Sequence, residues 1–172
     1  MAAAYLFWNF MPTQIIELFE LIADGGLEHE DLLAMTAEVT AAQQDPSAYR
    51  ARHAADFYPS ETAVPLWEVV LLEQLADGLI FNAQSMPALY QQISEAFGEG
   101  ELELQASALT ELSETSALKA IQDELNPNFT LIDFSDRDQK QMLLIRTHHL
   151  TAFFQALPSA QYSSQPRLRK PL

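Results

Sequence analysis

Residues 131–146, LIDFSDRDQKQMLLIR, constrain the fold more than any other stretch of this chain. Two apolar runs flank an acidic segment that contains Asp133, Asp136 and Asp138. Alternating polar and apolar residues are typical of β-strands, and serine and aspartate favour turns because their side chains bond nearby backbone N–H groups. The sequence therefore predicts a β-hairpin over about 129–146, and hence a β-sheet.

Most of the remaining chain has the apolar spacing of amphipathic helices. Apolar residues recur at intervals of three and four, and glycine or proline interrupts the pattern at the expected helix ends. The strongest helix is predicted over about 63–77, and a last helix begins near His148 or His149. A short strand is predicted at 79–83, whereas 101–105 fits either a strand or the start of a helix. These elements predict the α+β class: a helix-rich single domain with a small antiparallel sheet that includes the C-terminal hairpin.

The last helix marks the end of the predicted globular part. Four of its apolar residues are predicted to face the core: Leu150, Phe153, Phe154 and Leu157. From residue 159 the composition changes to serine, glutamine, proline and arginine, and no apolar face remains. We predict one globular domain over 1–158 and a flexible basic tail over 159–172.

The charge of the chain limits its partners. Nine lysines and arginines stand against 24 aspartates and glutamates, for a formal net charge of −15. Three of the basic residues, Arg167, Arg169 and Lys170, lie in the predicted tail. An acidic surface repels phosphate backbones and anionic lipid, so we expect neither nucleic acid nor a membrane as a partner. A basic protein would be attracted; the alternative is that the charge only keeps the protein soluble.

The chain contains no cysteine, which excludes disulfides, thiolate metal sites and a cysteine nucleophile. This composition fits a cytoplasmic protein, and we predict that location. The first residues, MAAAYLFWNFMP, have no basic residue before their apolar stretch, which is about half the ~20 residues of a membrane span. We interpret them as an arm packed on the core. The alternatives are a hydrophobic surface that binds a partner and the seal of a homodimer.

A calcium site is the alternative to a simple turn at Asp133, Asp136 and Asp138. A helix–loop–helix calcium loop needs a glycine at its bend and a glutamate at its end. This segment lacks the glycine, and the twelfth position counted from Asp133 is Leu144. We therefore favour the turn, and we predict that any functional surface in this region consists of Asp133, Asp136, Asp138 and His148.

The sequence contains none of the common catalytic or cofactor-binding motifs. Neither GxSxG, SxxK, a P-loop, GxGxxG nor HExxH is present. The four histidines are not spaced to chelate a metal, and His53 shares a helical face only with Asp56, a pairing that is usually solvated. We therefore predict no catalytic residue, no cofactor and no metal, and we favour a protein that is not an enzyme.

Two segments carry a resemblance to a known family. They are WEVVLLEQLADGLIF at 67–81, a tryptophan-led helix that runs through a glycine into a strand, and FTLIDFSDRDQKQMLLI at 129–145. Over its C-terminal two-thirds the chain resembles a family of small bacterial α+β domains without an established activity. The resemblance implies a fold and no catalytic residue.

Two hypotheses of function follow from these observations. The first is a non-enzymatic, acidic, cytoplasmic protein that binds another protein, as regulatory and immunity-type modules do. It is based on the acidic surface, the aromatic N-terminus and the missing catalytic motifs. The alternative is a small metal-dependent hydrolase that uses Asp133, Asp136 and Asp138 together with His148 or His149.

Overall fold

The computed structural model describes residues 11–54, 56, 58, 65–98, 100–133 and 140–157, and the structural statements below refer to these residues. The helices and strands are, in order, α1 (Pro12–Ala23), α2 (His29–Gln44), α3 (Pro46–Arg52), α4 (Leu66–Leu75), β1 (Phe81–Ala83), α5 (Met86–Phe97), α6 (Glu114–Leu125), β2 (Phe129–Asp133), β3 (Lys140–Arg146) and α7 (Leu150–Ala156). Short 3₁₀ segments at Ala106–Leu109 and Thr147–His149 precede α6 and α7. The predicted α+β class is confirmed. The predicted N-terminal arm and C-terminal tail lie outside the described residues.

Local sequence signals set the helix ends. Asp45 caps α3 by accepting a hydrogen bond from the backbone N–H of Ala48 at 2.9 Å, and Ser85 caps α5 through Ala88 at 3.4 Å. Such caps satisfy N–H groups that have no partner inside the helix. Helix α1 ends where Gly25 takes a φ of 80°, a conformation that glycine adopts without steric strain.

The sheet is antiparallel with strand order β1-β3-β2, so that β3 is the central strand. In the hairpin, Phe129 lies opposite Arg146 and Asp133 lies opposite Met142. On the other side of β3, Phe81 of β1 also lies opposite Met142. The predicted hairpin strands and a strand within 79–83 are therefore confirmed. The turn at 134–139 lies outside the described residues.

Helices cover both faces of this sheet. Strand alternation directs Ile132, Leu143 and Ile145 into a first core, which they share with α1, α2, α4 and α7. Leu131 and Met142 enter a second core on the opposite face, together with α5 and α6. The sheet is thus the middle of three layers, and β2 and β3 each contribute to both cores, whereas β1 contributes to the second core.

Two glutamine side chains form hydrogen bonds with backbone groups at the outer edges of the sheet. On the β2 edge, Gln122 of α6 accepts a hydrogen bond from the N–H of Leu131 at 2.8 Å and donates one to the carbonyl of Phe129 at 2.9 Å. On the β1 edge, Gln92 of α5 accepts from the N–H of Asn82 at 3.2 Å and donates to its carbonyl at 2.7 Å. Each side-chain amide therefore takes the place of a further strand at that point, because it offers one donor and one acceptor.

Residues 101–105 form neither the strand nor the helix start that alternation allowed. The carboxylate of Glu124 accepts hydrogen bonds from the N–H groups of Glu103 and Leu104, the latter at 2.7 Å. Leu102 and Leu104 are half-buried against the second core. The apolar half of the alternating pattern therefore packs on the core, although a side chain rather than a strand pairs with the backbone.

The helical stripe of α7 is narrower than predicted. Phe153 is fully buried in the first core, and Leu157 is buried just after the helix. Phe154 was predicted to face the core as well, and this prediction is wrong because 39% of the residue is exposed. A helix of two turns packed on α1 and β3 buries one face, and the i+4 position falls at its margin.

Among the described residues, no helix has the length and apolar content needed to cross a membrane.

Candidate functional site

A groove of about 640 Å³ lies between α2 and α4. Four carboxylates line it: Asp31 and Glu38 of α2, Glu73 of α4, and Asp77 just after α4. The other lining residues are mostly apolar: Leu27, Ala34, Met35, Ala37, Gln74 and Leu79. We call this surface the acidic groove.

Helical spacing explains why these carboxylates share one surface. Asp31 and Glu38 are seven residues apart, which is about two turns, and Glu73 and Asp77 are four residues apart. Within the described part of the chain, the lysine and arginine ion pairs are made with other acids, and none neutralises these four. A concave surface lined by charge of one sign concentrates the electric field and attracts ions of the opposite sign.

Two tyrosines form hydrogen bonds with the two glutamates of the groove. The hydroxyl of Tyr49 donates a hydrogen bond to Glu38 Oε2 at 2.9 Å, and the hydroxyl of Tyr58 donates one to Glu73 Oε2 at 2.5 Å. The tyrosine rings contact each other, with centroids 5.7 Å apart. Both carboxylates are therefore oriented by hydrogen bonds before any ligand arrives.

His53 lies beside Tyr49 and Glu38. Its ring stacks on Tyr49 with centroids 4.3 Å apart, because the two residues are one turn apart along α3 and its C-terminal cap. Its Nδ1 lies 3.1 Å from Asp56 Oδ2, and its Nε2 lies 3.6 Å from Glu38 Oε2. His53 and Asp56 are therefore in contact, but not on the predicted helical face, because α3 ends at Arg52. Glu38 is an additional neighbour.

The tyrosine hydroxyls act as hydrogen-bond donors to the two glutamates. Burial, followed by the hydrogen bond to Glu38 and the charge of Glu38, raises the pKa of Tyr49 to about 12. Burial, followed by the hydrogen bond to Glu73, also raises the pKa of Tyr58 above its ordinary value. Both hydroxyls therefore keep their protons at neutral pH, so they position the carboxylates and do not serve as bases.

The raised pKa of Tyr49 predicts a loss of stability in alkali. The folded protein holds this proton to about pH 12, whereas the unfolded chain releases it near the ordinary value of 10.0. The stabilisation is therefore complete below about pH 10 and is lost as the pH rises towards about 12. In urea unfolding at about pH 8.5 and about pH 11, we expect Tyr49→Phe to remove about 1 kcal/mol of the alkaline decrease in the free energy of unfolding. Equal decreases in both proteins would contradict this assignment.

Among the residues singled out in the hairpin, the two that the structure describes, Asp133 and His148, do not lie together. Asp133 is buried at the end of β2, whereas His148 is exposed in the 3₁₀ segment that follows β3. In the hairpin register, Asp133 lies opposite Met142, which is four residues from Arg146 at the end of β3, and His148 follows beyond that end. At the rise of a strand this separation is about 13 Å, which is too far for both side chains to bind one metal ion directly. Asp136 and Asp138 lie outside the described residues.

No group of three or more histidines, aspartates and glutamates in the described ranges could hold a metal ion. Four carboxylates of the described residues line the groove between α2 and α4, and none of these four comes from the hairpin.

The groove residues Asp31, Glu38, Glu73 and Asp77 were not predicted from the sequence. One signal was present, since each pair is separated by a multiple of a helical turn and each lies on a predicted helix. What was missing was the packing of α2 against α4, which brings together pairs more than 30 residues apart in sequence.

The sequence matches no protein-family model, and comparisons with curated proteins and with solved structures give no significant match. The resemblance to small bacterial α+β domains therefore stays a prediction.

Proposed function

We propose that this protein is a non-enzymatic binding protein whose acidic groove receives a basic segment of a partner protein. The observation that carries the proposal is a concave surface with four carboxylates and a largely apolar lining. None of these four carboxylates forms an ion pair with a described lysine or arginine. A regulatory or immunity-type role would use such a surface. A cytoplasmic location, which the absence of cysteine favours, belongs to the same proposal.

The two kinds of lining residue have different roles in this proposal. Carboxylates attract lysine and arginine over a distance, which speeds association and selects against acidic partners. The apolar lining, which includes Met35 and Leu79, supports affinity because it removes apolar side chains of the partner from water. The volume of about 640 Å³ lies within the roughly 300–1,000 Å³ of ligand pockets, so a short segment is a suitable occupant.

Orientation of the glutamates favours arginine as the central contact. Glu38 and Glu73 are held by Tyr49 and Tyr58, so little side-chain freedom remains to be lost on binding. Arginine presents a planar fork of donors that can bond two carboxylate oxygens at once, which a lysine ammonium cannot match in geometry.

Neutralising the rim of the groove is expected to weaken the binding of a basic peptide. A labelled hexa-arginine peptide should bind the unmodified protein at low salt and lose affinity at about 0.5 M salt, where screening is strong. We expect the double variant Asp31→Asn/Asp77→Asn to bind about five- to tenfold more weakly by fluorescence anisotropy. Both side chains are exposed, so the fold should tolerate the change.

A matched control separates the groove from net charge. Glu17→Gln/Glu20→Gln removes the same number of charges from the exposed side of α1. We expect this variant to keep the affinity of the unmodified protein within about twofold. If the control weakens binding as much as Asp31→Asn/Asp77→Asn, the peptide responds to overall charge and the proposed groove is not its site.

A further inference from the structure

We propose that the basic C-terminal segment of this chain, residues 165–172, is itself an occupant of the acidic groove. This inference rests on the proposed function, since it assigns to the same groove a competitor that is part of the protein. The segment reads QPRLRKPL and holds three of the nine basic residues in the chain. Lys119, Lys140 and Arg146 form ion pairs with acidic residues outside the groove.

The composition of the segment matches both parts of the groove lining. Arg167, Arg169 and Lys170 offer cationic groups to four carboxylates, and Leu168 offers an apolar side chain to a lining that is otherwise mostly apolar. In an extended peptide, successive side chains point to opposite sides. Arg167 and Arg169 can therefore approach the carboxylates at the rim while Leu168 points between them into the groove.

The length of chain beyond the described residues is sufficient. The described chain ends at Leu157, just after α7, which packs on α1, and α1 in turn packs on α2 at the groove. Arg167 follows ten residues later, which allows a reach of up to about 35 Å. A domain of this size has a radius of gyration of about 16 Å, so the groove lies within reach of the segment.

Attachment to the same chain makes even weak binding effective. A tethered segment acts at an effective concentration on the order of millimolar, so with a dissociation constant about fourfold lower it occupies the groove for about four-fifths of the time. An external partner must displace it, and the apparent affinity of that partner falls by the fraction of grooves that are occupied. A basic partner must therefore bind the groove strongly enough to displace the tethered segment.

The test compares full-length chains in binding to the hexa-arginine peptide. Arg167→Gln/Arg169→Gln should bind the peptide about fivefold more tightly than the unmodified chain at low salt. The control Lys119→Gln/Lys140→Gln changes the net charge equally, at positions that are ion-paired away from the groove, and should stay within about twofold of the unmodified chain. A free peptide of residues 165–172 should then displace hexa-arginine from the variant Arg167→Gln/Arg169→Gln. The same peptide should bind more weakly when this variant also carries Asp31→Asn/Asp77→Asn.

The outcomes distinguish the two proposals. Equal affinity of the unmodified chain and Arg167→Gln/Arg169→Gln, with binding still weakened by Asp31→Asn/Asp77→Asn, overturns the inference and leaves the proposed function intact. Failure of hexa-arginine to bind any of the chains overturns the proposed function. Failure of the free peptide of residues 165–172 to bind Arg167→Gln/Arg169→Gln overturns the inference in either case.

Discussion

Replacing Gln122 with methionine is expected to lower the free energy of unfolding by about 3 kcal/mol. The substitution keeps the length and volume of the side chain, so no cavity forms, but it leaves the N–H of Leu131 and the carbonyl of Phe129 without their partner. Gln122 and Leu131 are buried, so water cannot replace the bond to the N–H of Leu131, whereas Phe129 is half-buried and its carbonyl loses less. An unsatisfied buried backbone group costs about 1–3 kcal/mol, and the half-buried carbonyl adds a smaller amount. Urea unfolding followed by circular dichroism measures the difference.

The equivalent change at the other sheet edge is the matched control. Gln92 also bonds both backbone groups of one residue, Asn82, but both residues are only half-buried. Water can reach the groups after Gln92→Met, so we expect a loss of about 1 kcal/mol. Equal losses for Gln92→Met and Gln122→Met would show that burial does not determine the energy of these edge contacts.

Phe153→Ala is expected to destabilise the protein by about 4 kcal/mol, because the ring is fully buried in the first core and its removal leaves a cavity. Helix α7 is short and packs on α1 and β3, so few other contacts can compensate for the loss. For a domain of this length the melting temperature should fall by about 10 °C. Differential scanning calorimetry or thermal circular dichroism measures the shift.

The neighbouring Phe154 provides the control for Phe153. This residue is 39% exposed, and its ring meets that of Phe153 edge to face with centroids 5.4 Å apart. Phe154→Ala removes that contact and little buried area, so we expect a loss of about 1 kcal/mol. If Phe154→Ala were as destabilising as Phe153→Ala, the assignment of only one of these rings to the core would be wrong.

The sequence predicted the elements of the fold whose signals are local. The hairpin was predicted because alternation and turn residues act within a few positions, and the caps Asp45 and Ser85 bond backbone groups three residues away. The 101–105 segment shows the limit of local patterns. Its alternation is real, but its backbone partner is Glu124, about 20 residues further along the chain.

The candidate site was harder to predict for the same reason. His53 and Asp56 are three residues apart and were expected to share a helical face; they are in contact although α3 ends at Arg52. By contrast, Tyr58 bonds Glu73 across 15 residues and Tyr49 bonds Glu38 across 11. The groove depends on how α2 packs against α4, and many arrangements of similar amphipathic helices satisfy the same sequence pattern. Acidic residues alone could not indicate which of them would share a surface.

The two edge glutamines also restrict the ways in which another chain can be recognised. An extended peptide commonly joins a protein by adding itself as a new strand, and it needs free N–H and C=O groups at a sheet edge to do so. In β1 the outward-facing groups of Asn82 are occupied by Gln92, and in β2 those of Leu131 and Phe129 are occupied in part by Gln122. The same contacts hinder edge-to-edge association between copies, a common start of aggregation. A partner is thus directed to the helices, where side chains rather than backbone provide the contacts.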